Sequence, residues 1–211
     1  MTRTGRCILI LALFLLSGCL GGTPAPVPTT YYTLEYPSPR PSSQMAADTV
    51  LRLEDMESPS EPAGRDILYR SGPFMRDAYR YHRWHVPPTD MVQGLLLRDI
   101  RASGLFRAVL SPAEAGTARY LLSGRVEEFL QREDQGSSLA TLVISMTLVD
   151  TGGNGEIDRI VLQNTYRLAE PLGSRKPADL AKGMSAAMAH LSRELIIDID
   201  VAINGSWSPC K

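Results

Sequence analysis

Cys19 is the residue in this chain whose surroundings most clearly invite chemistry. It follows Leu16-Ser17-Gly18, which close an unbroken apolar run from Ile8, with Arg3 and Arg6 ahead of it. A positive start, a short apolar core and small residues at the cut make a secretory signal. The run is too short to span a bilayer, which takes roughly 20 apolar residues. Of the other two thiols, Cys7 leaves with the signal. Cys210 is then alone in the mature chain, either inert in a loose tail or bridged to another molecule, since an internal disulfide has no second partner.

The remaining chemistry-bearing residues are weakly placed. His82 and His85 would face opposite sides of a strand, because side chains alternate there, and His190 lies about a hundred residues on. Neither a cysteine cluster nor a His-Glu-x-x-His spacing is present, so no metal is expected. Gly136-Ser137-Ser138-Leu139-Ala140 lacks the second glycine of a hydrolase nucleophile turn. Glu127, Glu128, Glu133 and Asp134 read as a solvated strand end, not as a facing catalytic pair. Gly152-Gly153-Asn154-Gly155 opens no helix and is not a phosphate loop. A balance of 22 basic and 23 acidic residues gives no nucleic-acid-binding signature. The expectation is a chain with no enzymatic activity and no cofactor.

Leu16-Ser17-Gly18-Cys19 resembles the lipobox of bacterial lipoproteins. The resemblance implies diacylglycerol transfer to the Cys19 thiol, cleavage before Cys19 and acylation, with a fatty chain such as palmitate, of the new amino terminus. Several chains hold where one does not, because each buried CH₂ adds ~0.8 kcal/mol. The alternative is an ordinary secreted protein cut near Gly22. Leu20 occupies the sorting position. Asp there tends to retain enterobacterial lipoproteins at the inner membrane, so Leu20 by resemblance favours the periplasmic face of the outer membrane.

The elements that would stand behind this anchor divide the chain. Residues 1–18 read as signal peptide, 19–30 as lipidated cysteine and flexible tether, 31–204 as the folded domain and 205–211 as a loose tail. Leu20 to Thr30 is rich in Gly, Pro and Thr, with little to bury. Strands are predicted at Tyr31–Tyr36, around Val50–Leu53, at Asp66–Tyr69 and at Phe74–Trp84. Pro87-Pro88-Thr89-Asp90 starts a helix over Thr89–Ser103, capped by Thr89 or Asp90 and stopped by Gly104. Phe106–Leu110, Arg119–Gln131, Leu139–Val149 and Ile157–Ala169 follow as strands, the last two joined by a turn at Thr151–Gly155. From Pro177 to about Ile199, Leu180, Met184, Ala187, Met188, Leu191 and Leu195 step by three and four along one helix face. Met184 and Met188 suit either core packing or a lipid groove. The fold class is α+β, a two-layer sandwich with both helices on one face of a mostly antiparallel sheet.

The chain also resembles the auxiliary lipoproteins of ABC-type transport systems, the family that includes the paraquat-inducible protein C type. The matching pieces are Tyr31-Tyr32-Thr33-Leu34, Ile67-Leu68-Tyr69-Arg70 with Gly72-Pro73, Arg83-Trp84 with Pro87-Pro88, Leu95 to Arg98 leading to Ala102–Phe106, Gly124 to Phe129 and Leu148-Val149-Asp150. His85-Val86 and the Trp207–Lys211 tail depart from the pattern. The resemblance implies a non-enzymatic part of a lipid-transport machine. Its partners would be a mammalian-cell-entry (MCE) domain protein bridging the periplasm and an ABC transporter or permease, with homo-oligomerisation possible. Tyr31, Tyr32, Trp84, Pro87 and Pro88 lie in the matching pieces and are the residues expected to serve structure or partner contact. A lipoprotein regulator of an envelope enzyme, such as a peptidoglycan synthase, is the alternative.

Overall fold

The computed structural model describes residues 27–39, 47–58, 64–134, 136–152 and 158–205. The signal, Cys19, Leu20, most of the tether, most of the Thr151–Gly155 turn, and Trp207 and Cys210 in the tail lie outside the described residues.

Eight strands and two helices follow one another as β1 (Thr30–Tyr32), β2 (Ala47–Leu53), β3 (Asp66–Gly72), β4 (Met75–Trp84), α1 (Pro88–Ser103), β5 (Phe106–Leu110), β6 (Tyr120–Asp134), β7 (Ser137–Asp150), β8 (Arg159–Pro171) and α2 (Pro177–Asn204). All eight strands share one sheet. β6, β7 and β8 form a long antiparallel meander. The opposite edge of β6 is divided: β2 pairs with Tyr120–Leu122 near its start, and β3 with Gln131–Arg132 near its end. At 15 residues β6 is roughly 50 Å long, enough to hold two short strands end to end. β5 then adds to β2, β4 adds to β3, and β1 adds to β4.

The α+β class and the two helices agree with the expectation; the mostly antiparallel sheet needs correction. β1–β4, β2–β5, β2–β6 and β3–β6 are all parallel, so the sheet is mixed. The cause is the divided edge of β6. The chain returns to that edge by crossovers, and strands that return this way run in the same direction.

The pattern of β7 fixes the layers. Ala140, Leu142, Ile144, Met146 and Leu148 are buried, while Val143, Ser145, Thr147 and Val149 between them are only partly covered. The inner set joins Val92, Leu96 and Ile100 of α1 and Leu180, Met184, Met188, Leu191, Leu195 and Ile199 of α2 in one cluster. Met184 and Met188 are fully enclosed and serve as core. Helix and sheet approach closely at Gly183, where a Cβ would stand 2.5 Å from Leu172 Cδ2 and 2.9 Å from Ala140 Cβ.

Helix ends follow their sequence signals in part. Gly104 stops α1 in the left-handed conformation, at φ 69°, where a Cβ would be strained. The expected cap at Thr89 or Asp90 is displaced: Pro87 holds the cap position with no side-chain bond, and Pro88 opens the helix. A proline has no N–H to satisfy, so the first turn needs one cap fewer. The first strand is shorter than Tyr31–Tyr36, because β4 offers β1 only its last three residues.

Between the helices lies a buried carboxylate. Asp99 is fully enclosed and accepts hydrogen bonds from Tyr36 Oη at 2.7 Å and Ser192 Oγ at 2.6 Å. Arg98 donates to it through Nε at 2.8 Å, lies 4.5 Å over the Tyr36 ring and also reaches the Tyr36 carbonyl at 3.2 Å. Burial, and next the bond to Asp99, hold the Tyr36 phenol neutral, well above the usual tyrosine range. This cluster ties the segment after β1 to both helices.

Candidate functional site

Of the sequence-selected residues, Tyr31, Tyr32, Trp84, Pro87 and Pro88 lie around the β1–β4 corner, while Cys19 and Leu20 lie outside the described residues. β1 lies parallel to β4 with Tyr31 opposite Arg83 and Tyr32 opposite Trp84. Main-chain bonds from Trp84 N to Arg65 O and from His85 N to Tyr32 O, both 2.7 Å, close the corner. Tyr32 Oη meets His82 Nδ1 at 3.1 Å. Tyr31 is exposed, with the Arg65 guanidinium 5.6 Å above its ring. Trp84 is buried and meets Phe129 edge-on, with ring centroids 5.3 Å apart. It is therefore a core residue and not a surface contact. His85 points to solvent, and His190 pairs with Glu170 at 2.8 Å.

Pro87 and Pro88 do reach a surface. With Met56, Leu68, Val126 and Phe129 they line a cleft of about 180 Å³ where β2 and β3 part along β6. Here β6 carries a bulge between Val126 and Glu128, which adds a residue and turns the strand. Asp66, Arg76, Glu127 and Glu128 form the polar part of the lining. Arg83 holds Asp66 at 2.9 Å and Arg70 holds Glu128 at 3.4 Å, so much of this charge is satisfied within the chain. An apolar floor with a mixed-charge rim suits a side chain or short segment of another molecule. Among the described residues that line it there is no Ser–His or Cys–His couple, and His82 is turned to Tyr32. Among the described residues no three of His, Cys, Asp and Glu gather as metal ligands.

Thus Trp84, Pro87 and Pro88 meet around Phe129, while Tyr31 and Tyr32 stand on the sheet edge. Sequence reasoning misses Met56, the Glu127 bulge and Asp99. Only Asp99 leaves a signal: it falls on the apolar stripe of α1, three residues after Leu96, where a carboxylate must find partners.

The family model described as ABC-type transport auxiliary lipoprotein component matches residues 32–196. A crystal structure of a Xanthomonas campestris protein superposes with a TM-score of 0.71 at 21% identity, over 83% of this chain and 96% of that one. A Chlamydia trachomatis protein superposes with a TM-score of 0.52 at 10% identity, over 76% of this chain and all of that one. At these identities the likeness concerns the fold. No curated protein matches the sequence. Among the described residues, no helix is long and apolar enough to cross a membrane.

Proposed function

Because the chain belongs to the ABC-type transport auxiliary lipoprotein family, we propose that it is a non-enzymatic docking part of an ABC/MCE-type lipid transport system. Cys19 carries the lipid, Leu20 lets the protein pass to the outer membrane, and the domain faces the periplasm. There it receives the far end of a periplasm-spanning MCE-domain protein, whose inner end meets the ABC transporter or permease. The cleft of Met56, Pro87, Pro88 and Phe129 accepts part of that partner. A homo-oligomer would present several such clefts at once.

The observation that supports this best is a coincidence of boundaries. The family match starts at Tyr32, and β1 spans Thr30–Tyr32. We read Leu20 to Thr29, ahead of that strand, as the tether, ten residues that reach on the order of 30 Å if extended. That length keeps the domain close to the lipid surface without carrying it deep into the periplasm.

Two measurements test the reading. Cys19→Ala is expected to leave an uncut precursor without radioactive palmitate; normal processing and membrane retention would refute lipidation. Affinity purification of the full protein from detergent-dissolved membranes is expected to recover an MCE-domain protein and an ABC transporter. Recovery of peptidoglycan synthases in their place would overturn the transport role.

A further inference from the structure

The turn between β3 and β4 breaks the ordinary partition of apolar residues. Phe74 is 98% exposed and Met75 64%. Among the described residues they are the only exposed large apolar side chains adjacent in sequence. Pro73 precedes them, so the tip carries an aromatic ring and a thioether on a stiff base.

The end of the hairpin, from Arg70 to Arg80, holds three arginines against one aspartate; Arg70 is paired with Glu128, and Arg76 also borders the cleft that Glu127 and Glu128 line. Arg76 and Arg80 are exposed beside the tip, and neither pairs with a carboxylate among the described residues. Asp77 is engaged locally, by Tyr69 Oη at 3.1 Å and the Ala78 N–H at 2.7 Å.

The direction of the tip identifies what it meets. β1 runs parallel to β4, with Thr30 level with His82. The chain that precedes Thr30 therefore leaves the domain toward the Met75 end of β4. Seven residues of β4 separate that level from Met75, roughly 23 Å. The eleven residues from Leu20 to Thr30 can extend by ~36 Å. Anchor and tip thus point the same way, and the tether is long enough for the tip to arrive at the lipid surface. We propose that Phe74 and Met75 enter the headgroup layer of the membrane that holds Cys19, with Arg76 and Arg80 against anionic lipid. Apolar side chains buried to ~5–10 Å with cations around them are the usual form of such contacts. This inference rests on the lipid anchorage proposed above. It adds a second contact, which sets how the domain stands and so where its cleft faces.

The test uses the full mature lipoprotein carrying Phe74→Trp, in vesicles of phosphatidylethanolamine and phosphatidylglycerol with brominated acyl chains. Phe74 is exposed, so the substitution leaves the fold alone. Val201→Trp is the control: it is exposed on α2, 24 residues and about 36 Å along the helix from Pro177. Tryptophan emission above the wild-type background is expected to fall at least twofold for the tip variant and not for the control. Arg76→Glu with Arg80→Glu is expected to halve that quenching. A protein that resists a carbonate wash, yet shows no more quenching at position 74 than at 201, overturns the tip contact and leaves the anchor standing. Blue-shifted tip emission that appears only with added protein extract also overturns it, in favour of a protein partner. A protein released by the wash removes the anchor and the inference together.

Discussion

Two aromatic residues ten positions apart meet opposite fates at the two ends of β4. Trp84, at its end, is 1% exposed and lies edge-on to Phe129. Phe74, just before its start, is 98% exposed. One strand thus passes from the packed interior to a tip with no neighbours. At the Trp84 end the ring packs on Phe129, and in the same core the buried Asp99 is held by Tyr36, Ser192 and Arg98. At the Phe74 end nothing among the described residues covers the ring. An apolar group left uncovered beside Arg76 and Arg80, at the end of β4 toward which the chain before Thr30 runs, is best understood through what lies outside the molecule.

The sharpest attempt to break this contrast is Trp84→Ala. Loss of a fully buried indole should cost ~3–5 kcal/mol, read as a lower midpoint in urea unfolding. An unchanged midpoint would mean that the two ends of β4 are alike. A smaller effect is expected from Tyr36→Phe, which deprives Asp99 of one donor and should cost about 1–2 kcal/mol at neutral pH. The same variant tests pH dependence. The folded-state pKa of Tyr36 is raised, so the stability it gives is complete below the unfolded value of about 10 and is lost as pH rises above it, where only the unfolded chain ionises. Wild type should therefore lose stability above that pH more steeply than Tyr36→Phe, and parallel curves would disprove the buried phenol. The smallest effect is expected at the tip: Phe74→Ser should move the unfolding midpoint by less than ~0.5 kcal/mol. A larger loss would show the ring packed against the domain.

What the sequence makes legible follows from local periodicity. Leu142, Ile144, Met146 and Leu148 alternate in the sequence and are the buried face of β7. The stripe of α2 is equally plain, but its end is obscured. Ile196 to Ile203 alternates apolar and polar residues like a strand, yet Ile196, Ile199 and Ile203 still step by three and four and point inward. Strand direction is not legible at all, because alternation is the same read either way; this is why the sequence suggests an antiparallel sheet where the sheet is mixed. At the site, Trp84 and Pro87-Pro88 stand out by residue type. Met56 and Phe129 join them only because β2 and β3 divide one edge, a matter of partners many residues distant. The exposure of Phe74 is illegible for a related reason: periodicity gives a face, not whether anything lies over it.

The divided edge of β6 has a consequence for the order of assembly. β6, β7 and β8 are joined through short turns, so their meander closes at little entropic cost. β2 and β3 must instead find strand positions that lie about 60–70 residues later in the chain. A chain made from its amino end therefore presents β2 and β3 before β6, the strand they pair with, exists, and the meander offers that strand ready-formed. Pulsed hydrogen exchange during refolding should protect residues 120–171 ahead of 47–72, and the reverse order would refute this sequence of events.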